Sequence, residues 1–481
     1  MRGNQVDQEE TEQIRPIFSR RYMLAMAGGT ALAATLAACS SSSSGSTTTA
    51  APATTAATTT TMAGATTTAA PATGSGNAAK FGGGGGDGTL KIGFTAPITG
   101  PLAGFGEAND FILKGINDLL KDGLMIGDKS YKVDIIFKDI ESNSDTAAAR
   151  ASSLILDDGV DMMCAIATPE MINPVADQCE ANGVPCLSTL APWQPYFFGR
   201  KGDPAKGFNW TYHFFWGAEQ LVGVFTEMWN AVSTNKNLGI LCANDPDGAA
   251  LADAKTGFPA GATGAGYTVV DPGRFTVLSS DFSSIIGQFK DKNVEILAGI
   301  PLPPDFATFW TQAKQQGFNP KLVTIAKAVL FPASVEALGD SGDGLASEIW
   351  WTPNHPFKSS LTGASAKDLT GQWEQATGKQ WTQFVGFAHA LFEMALDVVS
   401  RAGSTDKQAI ADAAAATTLD TIVGPLKFGA DGLPKNISRT ALVGGQWQKQ
   451  PAGSPHPFEL FVTNNSLSPE IPKTGDLKPL A

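Results

Sequence analysis

From Thr89 onward the chain alternates short apolar runs with segments of helical spacing, and this alternation leaves few folds open to it. Leu90-Lys91-Ile92-Gly93-Phe94, Val133-Asp134-Ile135-Ile136-Phe137 and the runs 162–167 and 184–188 are each too short for a helix. Between them, residues 103–120 place Phe105, Phe111, Ile112, Ile116, Leu119 and Leu120 on one helical face, residues 145–156 predict a helix with Asp145 as N-cap, and 171–181 predict another. Near-continuous apolar strands separated by helices are the pattern of a parallel sheet covered on both faces. The pattern then restarts: helices over 218–232, 248–257, 284–290 and 305–316 alternate with strands over 238–241, 267–270, 296–299 and 322–325. The expected fold class is therefore α/β, with two doubly wound parallel-sheet lobes. Helices over 366–376 and 382–401 must pack back onto one of them.

The N-terminus reads as an address. Arg20 and Arg21 precede a short stretch, 23–38, that is apolar but too short to span a bilayer, and the stretch ends in Leu36-Ala37-Ala38-Cys39. This resembles a twin-arginine signal with a lipobox, in which residues 1–38 are removed and the Cys39 thiol is lipidated. The export route, twin-arginine or general, stays open. Residues 39–88 are almost wholly Ser, Thr, Ala, Gly and Pro, a composition that buries too little apolar surface to offset its ordering entropy. They are expected to form a disordered tether. The glycine run 82–86 lacks the Gly-Lys-Ser/Thr that a phosphate loop needs. No later apolar run reaches about 18 residues, so membrane association rests on the N-terminal lipid anchor.

A net charge of −12 opposes phosphate backbones, which excludes nucleic acid as an expected partner. The five cysteines (Cys39, Cys164, Cys179, Cys186 and Cys242) and four histidines match no zinc spacing, and no metal or cofactor is expected. In an exported chain the Cys179/Cys186 spacing suggests a disulfide, with Cys164 to Cys186 as the competing pair and Cys242 a free thiol.

Several segments, in order along the chain, resemble the type I periplasmic binding proteins of the branched-chain amino-acid branch. Leu90 to Leu102, with its Thr99-Gly100-Pro101 turn, is similar to the family's opening strand. Asn182-Gly183-Val184-Pro185, Ser280-Asp281-Phe282-Ser283 and Gly424-Pro425-Leu426-Lys427-Phe428 are similar to later segments. The resemblance implies two lobes joined by a three-crossing hinge, 89–214 plus 353–420 in one and 215–352 plus 421–465 in the other, with 466–481 as a tail. It implies capture of a small polar or carboxylate-bearing molecule by cleft closure. It also implies delivery to the permease and ATPase of an ABC importer, by a monomer with no enzymatic role, anchored outside the cytoplasmic membrane.

It also implies a ligand set at the strand ends. Thr168 and Pro169 open a helix whose free N–H groups suit an anionic group, or they simply cap it; Glu170 would oppose an anion if it pointed inward. Ala191, Pro192 and Trp193 fall where the family's ligand loop sits, Trp216 follows the first crossing, and Asp247 stands where the family often has an aromatic. Lys327 replaces an expected acid and would favour a ligand carboxylate over an ammonium. Of Trp350-Trp351, one ring is expected in the core and the other, assigned to Trp351, toward the cleft. Two other readings compete. Gly339-Asp340-Ser341-Gly342-Asp343 is similar to a serine-protease nucleophile loop but stands alone and reads as a turn. A ligand sensor of the same fold, feeding a signalling partner, is the second.

Overall fold

The computed structural model describes residues 76–480; the expected signal, Cys39 and most of the tether lie outside the described residues. The apolar runs form two separate sheets. The first has seven strands, in the spatial order Ile437–Ser438, Thr211–Phe214, Cys186–Thr189, Met162–Ile166, Thr89–Ala96, Lys129–Asp139 and Leu124–Ile126. All but the Leu124–Ile126 edge pair in parallel. The second sheet runs Phe458–Asn464, Val443–Lys449, Ala346–Ile349, Leu322–Ile325, Ile296–Gly299, Asn237–Ala243 and Thr268–Val270, with Arg274–Phe275 also paired to Asn237–Ala243. Its first two strands are antiparallel additions to a parallel core.

Helices cover the sheets as the periodicity predicts. Phe384–Ala402 is the extreme case: its side chains are buried along almost the whole length, so it reads as hydrophobic all round. Ser144–Leu156 is capped by Asn143, whose side chain accepts from the Thr146 N–H, and not by Asp145 as expected; the helix simply begins one residue earlier. Pro169–Asn182 ends at Gly183, which adopts φ 64° as its C-cap, a conformation that costs glycine little.

The chain crosses between the sheets three times, after Phe214, after Ile349 and after Ser438. The crossings lie against one another: Phe215 N–H donates to the Ser438 carbonyl at 3.1 Å, Thr440 N–H donates to the Phe215 carbonyl at 3.3 Å, and the Phe215 and Trp350 rings meet edge to face at 5.1 Å. The third crossing comes later than expected. The hairpin Thr418–Thr421/Gly424–Lys427 precedes Ile437–Ser438, which pairs with Thr211–Phe214 in the first sheet, so residues 421–438 stay with the first lobe.

Both chain ends of the described region are docked. Gly82 and Gly84 donate to the Gly123 and Asp122 carbonyls at 2.9 and 2.7 Å, and Met125 N–H donates to the Lys80 carbonyl. The Asn77 amide donates to the Glu393 carbonyl, and Ala78 N–H to Asp397. The end of the expected tether is thus a strap on the first lobe. The glycines are held through their own backbone groups, in part by the Ser130 hydroxyl, which accepts from Gly85 N–H and donates to the Gly82 carbonyl, so composition gave no sign of it; at Gly83, φ 83°, a Cβ would come within 2.6 Å of Ser130. The expected tail is likewise packed: Ile471 is buried, and Leu480 N–H donates to the Lys321 carbonyl.

The disulfide expectation is corrected. Cys164, Cys179, Cys186 and Cys242 are all free, buried thiols. Burial, with Cys186 beside it, pushes the Cys179 thiol well above its usual range. They pack as small apolar side chains between helix and strand.

Candidate functional site

Parallel strands in each sheet end on one edge, and the residues that follow them face one another across the crossings. From the first lobe come Thr168, Leu190 and Pro192, with Phe105 from a short 3₁₀ turn. From the second come Asp247, Ile300, Lys327, Leu330 and Glu348. Phe215, Trp216 and Trp350 of the crossings complete the crevice. Its free volume is about 20 Å³, room for about one water, so the lobes lie closed on each other. Three residues at its edge hold positive φ without being glycine: Ala167 (150°), Leu190 (76°) and Lys327 (65°). Each directly follows, or nearly follows, a strand end, and strain of this kind concentrates where a site must be shaped.

The crevice contains side-chain polar atoms with no hydrogen-bond partner among the described residues. They are Thr168 Oγ1, Asp247 Oδ1 and the indole N–H groups of Trp216 and Trp350. Thr168 occupies the N-cap position of Pro169–Asn182, with Pro169 at the first helical position, but its hydroxyl makes no capping bond. Buried polar atoms are normally satisfied, and orphans that converge on one space from two lobes mark a place built for something else.

The charges sit on the second-lobe side. Lys327 Nζ lies 2.9 Å from both Asp245 and Asp247. The Lys327 N–H donates to Glu348 at 3.1 Å, and Ser347 Oγ donates to the same carboxyl at 2.8 Å. Burial pushes Asp247 up to about 7 against the pull of Lys327, with Glu170 adding to the rise. Burial also pushes Glu348 up to about 7, against the hydrogen bonds it accepts. Burial works against the Lys327 ammonium, but Asp247 and Asp245 outweigh it and hold the group above its ordinary range. Lys327 therefore stays charged, and its charge is already spent on protein carboxylates. The sequence expectation that Lys327 draws a ligand carboxylate did not foresee this pairing with Asp245 and Asp247.

Four other residues singled out from the sequence do not line the free space. Glu170 stands in the first turn of Pro169–Asn182, does not line the free space, and acts on Asp247 and Lys327 through its charge. Its Oε2 is buried without a partner. Ala191 lies behind the wall, its carbonyl 2.8 Å from His213 Nε2. His213 stacks on Tyr196 at 4.2 Å, and burial lowers it to about 3, so it is a neutral brace. Trp193 turns aside to Glu219, 3.3 Å from its indole nitrogen. Trp351 is the wrong member of its pair: it is fully buried, donates to the Ile422 carbonyl at 3.1 Å, and its ring lies where a Cβ on Gly386 would come within 2.3 Å. Trp350 lines the crevice instead, because the strand stops at Ile349 and alternation does not continue past it.

Phe105, Phe215, Trp350 and Glu348 escaped sequence reasoning. Glu348 had a signal, a lone carboxyl in the apolar strand Ala346–Ile349. Ser341 spends its hydroxyl on the Leu338 carbonyl at 2.8 Å within a 3₁₀ turn, so the protease-like segment is a turn. Among the described residues no cluster of His, Cys, Asp and Glu could hold a metal, and no helix is long and apolar enough to cross a membrane.

Comparison with known proteins agrees with this geometry. The family described as Periplasmic binding protein matches residues 89–443. A Leu/Ile/Val-binding protein homolog 3 from Brucella melitensis is 24% identical over 357 residues, 71% of this chain and 88% of the relative. A leucine-binding protein LivK from Thermotoga maritima superposes with a TM-score of 0.63 at 17% identity, covering 77% of this chain and 97% of the other. A solute-binding protein of an ABC transporter from Rhodopseudomonas palustris, solved with 3,4-dihydroxybenzoic acid, gives 0.62 at 17% identity over 78% of this chain and 96% of its own. Proteins of this kind are extracytoplasmic, bind small molecules and hand them to a membrane permease. The chain belongs to the periplasmic binding protein family, as a type I member of the ABC-transporter, Leu/Ile/Val-binding-like kind.

Proposed function

We propose that this protein is a lipid-anchored solute receptor, tethered through Cys39 to the outer face of the cytoplasmic membrane. It works as a monomer, closes its two lobes on a small polar molecule and presents the closed form to an ABC permease and ATPase. The observation that supports the reading best is the convergence of Thr168, Asp247, Trp216 and Trp350, each with an unpaired polar atom, on one crevice between hinged lobes. Closure excludes water there, which strengthens every polar contact a ligand makes.

The relatives' ligands support the size class: one neighbour is a leucine-binding protein, another was solved with a dihydroxybenzoic acid. The anchor reading is supported by Leu36-Ala37-Ala38-Cys39 at the end of a short apolar stretch. Native mass spectrometry of the gently purified protein tests the binding reading: a small molecule retained at one per chain is expected, and a bare chain with no thermal shift across a broad metabolite panel would contradict it. Cys39→Ala should release the protein from cells into the medium; retention on the membrane would contradict the anchor.

A further inference from the structure

We propose that the ligand is a small organic cation, an amine or guanidine with no balancing carboxylate, that also offers a hydrogen-bond acceptor. The inference rests on the crevice being the solute site and adds the ligand's charge. Lys327 Nζ is paired with Asp245 and Asp247, Glu170 of the first lobe adds its charge, and Glu348 accepts from the Lys327 backbone N–H; among the described residues lining the crevice, Lys327 carries the one ammonium. Asp305 adds its field from the next helix, acting on Asp245 and Lys327 alike. No arginine among the described residues lines the crevice.

The unpaired atoms divide by chemistry. Asp247 Oδ1, on a residue that lines the crevice, is buried, can only accept when ionised, and lacks the donor that a charged nitrogen carries. Glu170, set back from the free space on the opposite lobe, adds its negative charge from there. The Trp216 and Trp350 indoles and the Thr168 hydroxyl can donate, and call for an acceptor at the other end of the ligand. Phe105, Phe215, Trp216 and Trp350 supply aromatic walls, which favour a desolvated cation over an anion. A bound carboxylate would meet Glu348 and the charge of Glu170, and would have to compete with Asp245 and Asp247 for Lys327. Asp247 and Glu348 titrate near neutrality, so protons stand in for the missing cation, and a bound amine displaces them.

Isothermal titration at pH 7.5 with leucinamide, ethanolamine and N-acetylputrescine, each a cationic amine carrying an oxygen acceptor, set against leucine and 4-hydroxybenzoate, tests this. At least one of the three cations should bind 100-fold more tightly than 4-hydroxybenzoate, and leucinamide at least 10-fold more tightly than leucine. The cation's affinity should rise between pH 6 and pH 8, with protons released in proportion. Glu170→Gln and Asp247→Asn should each weaken the cation at least 10-fold; Glu170 makes no structural hydrogen bond through Oε2, so its variant keeps the test open if Asp247→Asn folds poorly. Tight binding of leucine or 4-hydroxybenzoate with the cations silent would overturn the ligand class and leave solute binding standing. Silence from the whole panel would overturn the class too, and solute binding would then rest on the retained-ligand measurement alone.

Discussion

The two walls of the crevice are built differently. The first lobe contributes Phe105, Thr168, Leu190 and Pro192, a neutral wall, with Glu170 set back from it. The second contributes Asp247, Lys327 and Glu348, locked into each other by contacts between 2.9 and 3.1 Å. Desolvation is costly for the charged wall unless its partners stay in place, and nearly free for the neutral one. The difference implies that the second lobe carries its polar network whether or not a ligand is present, while the first lobe closes over it and completes the site.

Removing the centre of the charged wall should have the largest effect. Lys327→Met strands Asp245 and Asp247 without their cation, and should cost about 3–5 kcal/mol in denaturant unfolding; a loss under 1 kcal/mol would mean that water reaches the cluster freely. The pH dependence of stability comes next. Asp247 and Glu348 are raised to about 7 in the fold from ordinary values of 3.8 and 4.5. The native state therefore keeps protons that the unfolded chain has released. Their contribution is fully present below about pH 4, falls as pH rises, and is gone above about pH 7. Unfolding measured at pH 5, 6, 7 and 8 should show this loss, on the order of 2 kcal/mol per group, and Asp247→Asn should flatten the slope.

At the crossing between the walls, Trp351→Phe should cost about 1–2 kcal/mol through its lost bond to Ile422 and a small void. Trp350→Phe should leave stability nearly unchanged and weaken ligand binding. The smallest effect belongs to the neutral wall: Thr168→Val removes an unsatisfied hydroxyl, and should leave stability unchanged or raise it by up to about 1 kcal/mol while weakening the ligand. A Thr168→Val loss as large as that of Lys327→Met would erase the contrast between the lobes.

The same contrast explains what the sequence revealed. Apolar runs and helical spacing carry the sheet-and-helix order because burial dictates them locally, so both lobes were legible. The loops after strands were legible as positions, which is how Thr168, Pro192, Trp216, Asp247 and Lys327 were found. What Lys327 does was hidden, because its partners Asp245 and Asp247 lie about 80 residues away along the chain. Trp350 and Trp351 were exchanged because a strand end breaks the period of two on which their assignment relied. The strap 77–88 was invisible because its glycine run binds through its own backbone atoms, which every residue shares, and the side-chain bonds of Asn77 and Asp87 near its two ends form no pattern along the chain.

The central claim, that two hinged lobes grip one solute, is tested most directly by measuring the distance between them. Spin labels on exposed positions of the two lobes, Lys114→Cys and Lys292→Cys, report it by pulsed dipolar spectroscopy. Addition of the molecule recovered from the gently purified protein should collapse a broad distribution into a single short distance. An identical distribution with and without that molecule at saturation would contradict the account.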